Sequence, residues 1–98
     1  MTLNRYAKRI DANQPEIVSG LRHMGAAVWV LSTPADLLVG ARGRFLTAEI
    51  KDGEKPPSRR QLTPEEAAYA GTCERLGLPH FVWLSLEDAI QDTFGAVP

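Results

Sequence analysis

The chain has 98 residues, of which 44% are hydrophobic, and this length predicts one domain near the lower limit for packing a core unaided. The formal net charge of −1 provides no overall positive field for nucleic acid, so such binding would depend on local basic clusters. A single cysteine excludes an internal disulfide and a thiolate zinc cluster, and no apolar run approaches the roughly 20 residues of a membrane span. We therefore expect a cytoplasmic protein without a membrane partner, in which about residues 1–12 form an N-terminal arm on one domain.

The first half of the chain predicts one helix followed by three strands. Asn13 and Glu16 have the spacing of a capping box, and apolar residues then recur at helical spacing, which predicts a helix over 14–24. The turn-forming segment ARGR predicts a hairpin between the second and third strands. The three strands are predicted from short runs rich in apolar residues, at 26–31, 36–40 and 45–51.

The second half predicts a loop, a helix, a strand and a final helix. The polar segment 52–61 contains two prolines and is typical of a loop. Thr63 caps a helix over 64–76, which Gly77 ends. The remaining elements are a strand over 81–84 and a helix that opens with Ser85 and Asp88 and ends near Phe94. The order αβββαβα predicts an α/β fold, a small mixed sheet flanked by helices, with a parallel strand pair in its second half.

The sequence predicts that three large or polarisable side chains lie in the core. Trp29 and Trp83 fall in strands that we expect to be buried, so we interpret them as core residues and not as platforms for base stacking. Cys73 shares a helical face with Tyr69 and Leu76, which predicts a buried packing role for its thiol.

Charged residues near the second and third strands could form a metal site. Side chains alternate along a strand, so Glu49 and Lys51 share one face, and a hairpin could bring Asp36 beside Glu49. Two carboxylates make an all-oxygen site suited to Mg²⁺, which keeps several waters and accepts phosphate oxygens. Such a metal lowers the pKa of a bound water, and Lys51 could hydrogen-bond the attacking water or the phosphate.

Each of these residues also has a purely structural explanation. Asp36 could solvate the turn that follows Pro34, and Glu49 with Lys51 could be a surface pair worth at most about 1 kcal/mol. A Glu-x-Lys triplet alone occurs by chance in roughly one chain in three of this length. The triplet therefore supports a functional site only together with the helices and strands predicted around it.

In the context of these elements, the sequence resembles the PD-(D/E)XK nucleases, and most closely the small phage-type members of the virus-type replication-repair nuclease group. The resemblance covers nearly the whole chain through DANQPEIV, PADLLVG, AEIKDG, KPPSRRQLTPEEAAY and SLEDAI. It implies a restriction-endonuclease-like αβββαβα core. It also implies that Asp36 and Glu49 are metal ligands for Mg²⁺ or Mn²⁺, that the main-chain carbonyl of Ile50 is a further ligand, and that Lys51 is the catalytic lysine.

The function implied by this resemblance is metal-dependent hydrolysis of DNA phosphodiesters in a bacterial or phage-infected cell. The resemblance to stand-alone members of the group also implies a homodimer that cuts branched DNA such as four-way (Holliday) junctions, as in DNA repair. The alternative is a DNA-structure-binding protein of the same fold with weak or no catalysis. A third hypothesis is an α/β interaction module without a nucleic-acid role.

The chain departs from the pattern of this group at two helical positions. Gln14 stands where relatives have an acid, and Glu66 stands where they have a glutamine. We interpret both positions as lining the active site, so that the acid has moved from the first helix to the second. Glu16 is the alternative acid in the first helix, although its place in the predicted capping box already accounts for it.

Two basic clusters are candidates for contacts with DNA. Exposed arginines in a proline-containing loop are more often solvent-facing charges, but beside a nuclease site a DNA channel needs cations. We therefore expect DNA contacts from Arg42, Arg44, Lys55, Arg59 and Arg60.

Overall fold

A four-stranded mixed sheet forms the centre of the part of the chain that the computed structural model describes, residues 10–95. Most of the predicted N-terminal arm, residues 1–9, lies outside this range. The strands, in their order across the sheet, are β1 (Ala27–Val30), β2 (Leu37–Ala41), β3 (Arg44–Ile50) and β4 (His80–Trp83). The helices are α1 (Gln14–His23), α2 (Pro64–Leu76) and α3 (Leu86–Phe94), and a short 3₁₀ helix covers Pro57–Arg59.

Strand pairing follows from the connections in the chain. The neighbours β1, β2 and β3 pair antiparallel through short connections, whereas β3 and β4 are joined through α2 and pair parallel. The predicted mixed sheet flanked by helices is confirmed, including the parallel pair in its second half. The predicted element bounds agree with the structure to within one or two residues.

Local sequence determines the ends of α2. The Thr63 hydroxyl accepts a hydrogen bond from the Glu66 N–H at 3.1 Å, and the Glu66 carboxylate accepts one from the Thr63 N–H at 2.9 Å. Pro64 occupies the first turn, where its missing N–H costs nothing. Gly77 ends the helix in the left-handed conformation, with φ of 72°.

The predicted capping box at the start of α1 is wrong. The Asn13 side chain makes no hydrogen bond to the first turn of the helix. Its amide instead donates to the main-chain carbonyls of Lys51 and Leu84, both at 3.1 Å. Asn13 therefore joins the start of α1 to the ends of β3 and β4.

The two faces of the sheet are covered differently. We call the face toward α1 and α3 the inner face; it holds the apolar core, with fully buried side chains that include Ile17, Leu21, Val39, Ile50 and Trp83. We call the opposite face the outer face; there α2 packs on β4, and Tyr69 contacts Thr47 and His80.

The two tryptophans lie on opposite faces. Trp83 is fully buried on the inner face, as predicted, and Cys73 is buried as well. The prediction for Trp29 is wrong, because its side chain is 47% exposed. Trp29 lies on the outer face of β1, beyond the strands that α2 covers. Within residues 10–95, none of the helices combines the length and the apolar character that crossing a membrane requires.

Candidate active site

Asp36 and Glu49 both lie near the end of β3. The antiparallel register of β2 and β3 reaches the pair Leu37 with Ala48, and the Asp36 N–H, directly before β2, donates to the carbonyl of the same Ala48 at 3.1 Å. Asp36 is 6% exposed and Glu49 is fully buried. The Asp36 carboxylate accepts a hydrogen bond of 2.7 Å from the Ile50 N–H, which fixes its position beside β3. The Asp36 carboxylate is thus held at the main chain of Ile50, the residue that follows Glu49.

Lys51 directly follows β3 and forms an ion pair with Glu66 on α2. The Lys51 Nζ lies 2.8 Å from the Glu66 Oε1, and both side chains are largely buried, at 13% and 11% exposure. Burial opposes ionisation of Glu66, but hydrogen bonds from Lys51 and the Thr63 N–H, with the positive charge of Lys51, lower its pKa. The neighbouring Glu49 side chain also lowers the pKa of Glu66. Glu66 therefore belongs to the same cluster as the two predicted metal ligands.

Gln14 is buried at the first position of α1, one residue after the bridging Asn13. Its side chain lines a depression together with Val18 and Val30, on the side of the sheet that faces α1. Glu16, the alternative acid in this helix, is exposed and lines a separate depression with Asp52. The structure therefore separates Glu16 from the cluster around Glu49.

Asn13 is a site residue that the sequence analysis missed. Its two hydrogen bonds tie the main chain at Lys51 to that at Leu84, and thereby fix where the lysine leaves the sheet. Gly53 permits a second close approach there, because a Cβ on it would lie 2.8 Å from the Leu84 carbonyl oxygen. The partners of Asn13 are 38 and 71 residues away along the chain, so no local pattern reveals this role.

A polar network anchors α2 to the sheet two residues before Glu49. The Thr47 hydroxyl lies 3.1 Å from the Tyr69 hydroxyl and 2.7 Å from the His80 Nδ1. Burial raises the pKa of Tyr69, with smaller contributions from Cys73 and Glu49, and burial lowers the pKa of His80. Both shifts favour the uncharged forms of the Tyr69 phenol and the His80 imidazole. The hydrogen bond between Tyr69 and Thr47, which holds α2 on the sheet, is therefore one between neutral groups.

The predicted basic clusters flank β3 in the chain, one at the hairpin where the strand begins and the other in the segment after its end. At the hairpin, the Arg42 guanidinium lies over the Phe94 ring at 5.8 Å, and Arg44 donates to the Asp92 carbonyl at 2.6 Å. The other cluster, formed by Lys55, Arg59 and Arg60, belongs to the segment that follows the acidic site. Lys55 lies 3.9 Å from the Asp11 carboxylate.

The residues present fit a hydrated divalent cation better than a cage built of protein ligands. Within residues 10–95, no group of three or more His, Cys, Asp and Glu side chains converges as a metal site. Mg²⁺ needs no such group, because it typically takes one or two carboxylates and keeps several waters. Asp36 and Glu49 supply two hard oxygen ligands. The Ile50 carbonyl can supply a third, since it points to the same side as the Ile50 N–H that meets Asp36.

Comparisons of this chain with protein-family models, with curated proteins and with solved structures find no match. The functional argument therefore rests on the residues themselves. Two buried carboxylates lie near the end of β3, one of them on the main chain of Ile50. The following residue, Lys51, pairs with the Glu66 carboxylate on α2. This arrangement can hold a divalent cation and place an ammonium group next to it.

Proposed function

We propose that the protein is a metal-dependent DNA endonuclease of the PD-(D/E)XK type with a restriction-endonuclease-like core. The observation that carries this proposal is a cluster at the end of β3. Asp36 contacts the Ile50 N–H, between Glu49 and Lys51 in the chain, and Glu66 pairs with Lys51 next to Glu49. The order of helices and strands, which matches the order of that core, adds support.

Each residue of the cluster has a role in this proposal. Asp36, Glu49 and the Ile50 carbonyl hold Mg²⁺ or Mn²⁺. When bound, the metal supplies an activated water and stabilises negative charge on the phosphodiester. Lys51 donates a hydrogen bond to the attacking water or to a phosphate oxygen. Glu66 holds Lys51 in position through the 2.8 Å ion pair, and burial keeps bulk water from screening that pair.

The proposed substrate is branched or duplex DNA, and the proposed assembly is a homodimer. A chain of 98 residues offers little surface to grip a duplex, whereas a two-fold dimer places two active sites against opposite strands. Arg42, Arg44, Lys55, Arg59 and Arg60 are the proposed phosphate contacts. Sedimentation equilibrium tests the assembly: a monomer at micromolar concentration would contradict junction resolution and favour the processing of flaps or nicks.

The decisive experiment is a cleavage assay on a labelled four-way junction, a splayed arm and a linear duplex, with Mg²⁺, Mn²⁺ or EDTA. Metal-dependent cutting should fall by about 100-fold or more in both Glu49→Ala and Lys51→Ala. Glu54→Ala is the matched control, because Glu54 is an exposed carboxylate in the loop that follows the site. Folded wild-type protein that cuts none of these substrates would contradict the proposal.

The role of Glu66 has its own test. Glu66→Gln keeps a side-chain acceptor for the Thr63 N–H but removes the charge that pairs with Lys51. We expect weaker metal binding and slower cleavage, whereas Glu65→Gln, at the exposed neighbouring position, should change neither. If metal affinity and cleavage both remain unchanged in Glu66→Gln, Glu66 does not serve as the active-site acid that the resemblance places in the first helix.

A DNA-structure-binding protein with weak or no catalysis is the second candidate. The observation that favours it is Gln14, which supplies an amide where the resemblance places an acid. In that case the folded protein binds branched DNA in EDTA but releases no product when metal is added. Gln14→Glu is then the first substitution to test for restored cleavage.

A further inference from the structure

The helix α2 is held on the sheet with little apolar burial. Of its 13 residues, only Glu66 and Cys73 are buried, and Leu76 at its C-terminal end is 61% exposed. Residues 77–79 connect that end directly to β4, so chain connectivity limits its movement. The N-terminal end, which carries Glu66, follows the long segment 51–63. The position of this end on the sheet therefore depends on side-chain contacts.

Two side-chain contacts join the first half of α2 to the chain at β3. Lys51, directly after β3, pairs with Glu66 at 2.8 Å. One helical turn after Glu66, the Tyr69 hydroxyl lies 3.1 Å from the Thr47 hydroxyl. Side chains alternate along β3, so Thr47 and Glu49 share the outer face. The two contacts of α2 therefore bracket Glu49 along the chain.

Tyr69 is held from a second side by β4. The His80 ring meets the Tyr69 ring edge-on, with centroids 4.9 Å apart and planes inclined by 89°. The His80 Nδ1 also lies 2.7 Å from the Thr47 hydroxyl, so both partners of Tyr69 contact each other. The hydroxyl contact and the ring contact together determine the place of Tyr69 relative to β3 and β4.

The Glu66 carboxylate transmits the position of α2 to Lys51. Its Oε1 accepts hydrogen bonds from the Lys51 ammonium at 2.8 Å and from the Thr63 N–H at 2.9 Å. The second bond belongs to the cap of α2, so the carboxylate is tied to the start of the helix. A shift of α2 relative to β3 therefore moves the group that holds the lysine.

We propose that Tyr69 is a positioning residue for Lys51. Its hydroxyl contact with Thr47 sets the place of α2 on β3, and thereby the place at which Glu66 holds the lysine ammonium. This inference rests on the proposed nuclease function, in which Lys51 donates to the attacking water or to the phosphate. Because a displacement of about 1 Å can cost about 100-fold in rate, the loss of one such contact should be visible in cleavage.

Chemical labelling of Lys51 tests the positioning without metal, DNA or cleavage. The protein is acetylated in EDTA with a limiting amount of acetic anhydride, and mass spectrometry measures the extent at each lysine. Tyr69→Phe removes the hydroxyl and keeps the ring against His80. We expect labelling of Lys51 to rise about threefold, toward that of Lys55, because the two side chains are 13% and 44% exposed. Labelling of Lys55 should stay unchanged.

Thr47→Val and Val39→Ala make the labelling specific to this contact. Thr47→Val removes the other hydroxyl and should reproduce Tyr69→Phe, and the double variant should add little to either single variant. Val39→Ala is the matched control, because Val39 is fully buried on the inner face and its truncation lowers stability without removing a contact of α2. Labelling and cleavage should both stay at the wild-type level in Val39→Ala. Urea unfolding verifies that each variant is folded.

Cleavage of the four-way junction with Mg²⁺ gives the second readout. Tyr69→Phe should lower kcat about tenfold and leave KM within about twofold, because a displaced Lys51 weakens interactions made in the transition state. A raised KM with an unchanged kcat would overturn the inference. Tyr69 lines a depression together with Glu66, Ser32 and Thr33, so that result would assign its hydroxyl to substrate binding.

The labelling separates this inference from the proposed function. Wild-type labelling of Lys51 in both Tyr69→Phe and Thr47→Val would overturn the inference, whether or not the protein cuts DNA. Raised labelling in both variants, with no cleavage by the wild-type protein, would support the positioning of Lys51 and contradict the nuclease.

Discussion

The inner and outer faces of the sheet are held together by different interactions. On the inner face, apolar side chains such as Leu21 and Trp83 are fully buried between the sheet, α1 and α3. On the outer face, α2 is attached through the hydrogen bonds of Thr47 and through the ion pair between Lys51 and Glu66. Apolar burial provides most of the free energy of folding, whereas polar groups held in fixed positions can provide chemistry. The stability of this protein should therefore depend mainly on one face and its proposed function on the other.

The two tryptophans give the strongest test of this contrast. Trp83→Ala removes a fully buried ring and its 2.9 Å hydrogen bond to Asp92, so we expect a loss of about 3–5 kcal/mol in the free energy of unfolding. Trp29→Ala should cost less than about 1 kcal/mol, because its ring is half exposed. Urea unfolding followed by circular dichroism measures both. Similar losses for the two variants would mean that the outer face also carries core packing.

These two residues also show where sequence-based prediction succeeds and where it fails. A short apolar run predicts the strand at β1 as buried, but that run does not reveal which face of the strand a helix will cover. The coverage depends on α2, which comes more than 30 residues later and packs on the β4 side of the sheet. Trp83 was placed correctly because its face meets α3, the element that directly follows β4.

The candidate site shows the same division between local and distant information. Asp36 directly precedes β2, whose hairpin register with β3 a short turn determines, so its approach to the Ile50 N–H follows from nearby sequence. The caps of α2 depend on residues within one turn, and Thr63 with Gly77 was predicted correctly. Asn13 was assigned to a helix cap because that role is local, whereas its actual partners lie on the main chain at distant strand ends.

Asn13 provides the next test, at the junction between the two faces. Asn13→Ala removes two hydrogen bonds to main-chain carbonyls, which should cost about 1–3 kcal/mol in the free energy of unfolding. Asn13→Asp distinguishes a role in capping α1 from a role in bridging the two main-chain carbonyls. Aspartate caps a helix as well as asparagine does, but it has no amide to donate to the carbonyls of Lys51 and Leu84. We expect Asn13→Asp to be nearly as unstable as Asn13→Ala in urea unfolding. Wild-type stability of Asn13→Asp would instead indicate that Asn13 acts as the cap of α1.

The pH dependence of stability tests the neutral network beneath α2. Burial lowers the pKa of His80 from its usual value of 6.5, so the unfolded chain binds a proton before the folded chain does. This contribution to stability is complete above pH 6.5 and is lost as the pH falls toward the lowered pKa. The groups that face the imidazole are the Thr47 hydroxyl and the Tyr69 ring.

We therefore expect a lower urea midpoint at about pH 5.5 than at about pH 7.5, by a modest amount for a half-buried ring. His80→Gln removes the titrating group and should reduce the difference between the two midpoints. His23→Gln, at an exposed position in the last turn of α1, is the matched control and should leave that difference unchanged. Equal midpoints of the wild-type protein at the two pH values would show that protonation of His80 does not oppose folding.

The smallest expected change in stability comes from Gly40→Ala, between the exposed rings of Trp29 and Phe45. The new methyl group would meet the Phe45 ring at 3.2 Å, a tight contact that an exposed ring can relieve by moving. The loss of chain entropy in the unfolded state favours alanine by about 0.4–1 kcal/mol where the backbone tolerates it. These effects oppose each other, so urea unfolding should show a change within about 1 kcal/mol. A large loss of stability would instead mean that the Phe45 ring is held rigidly in place.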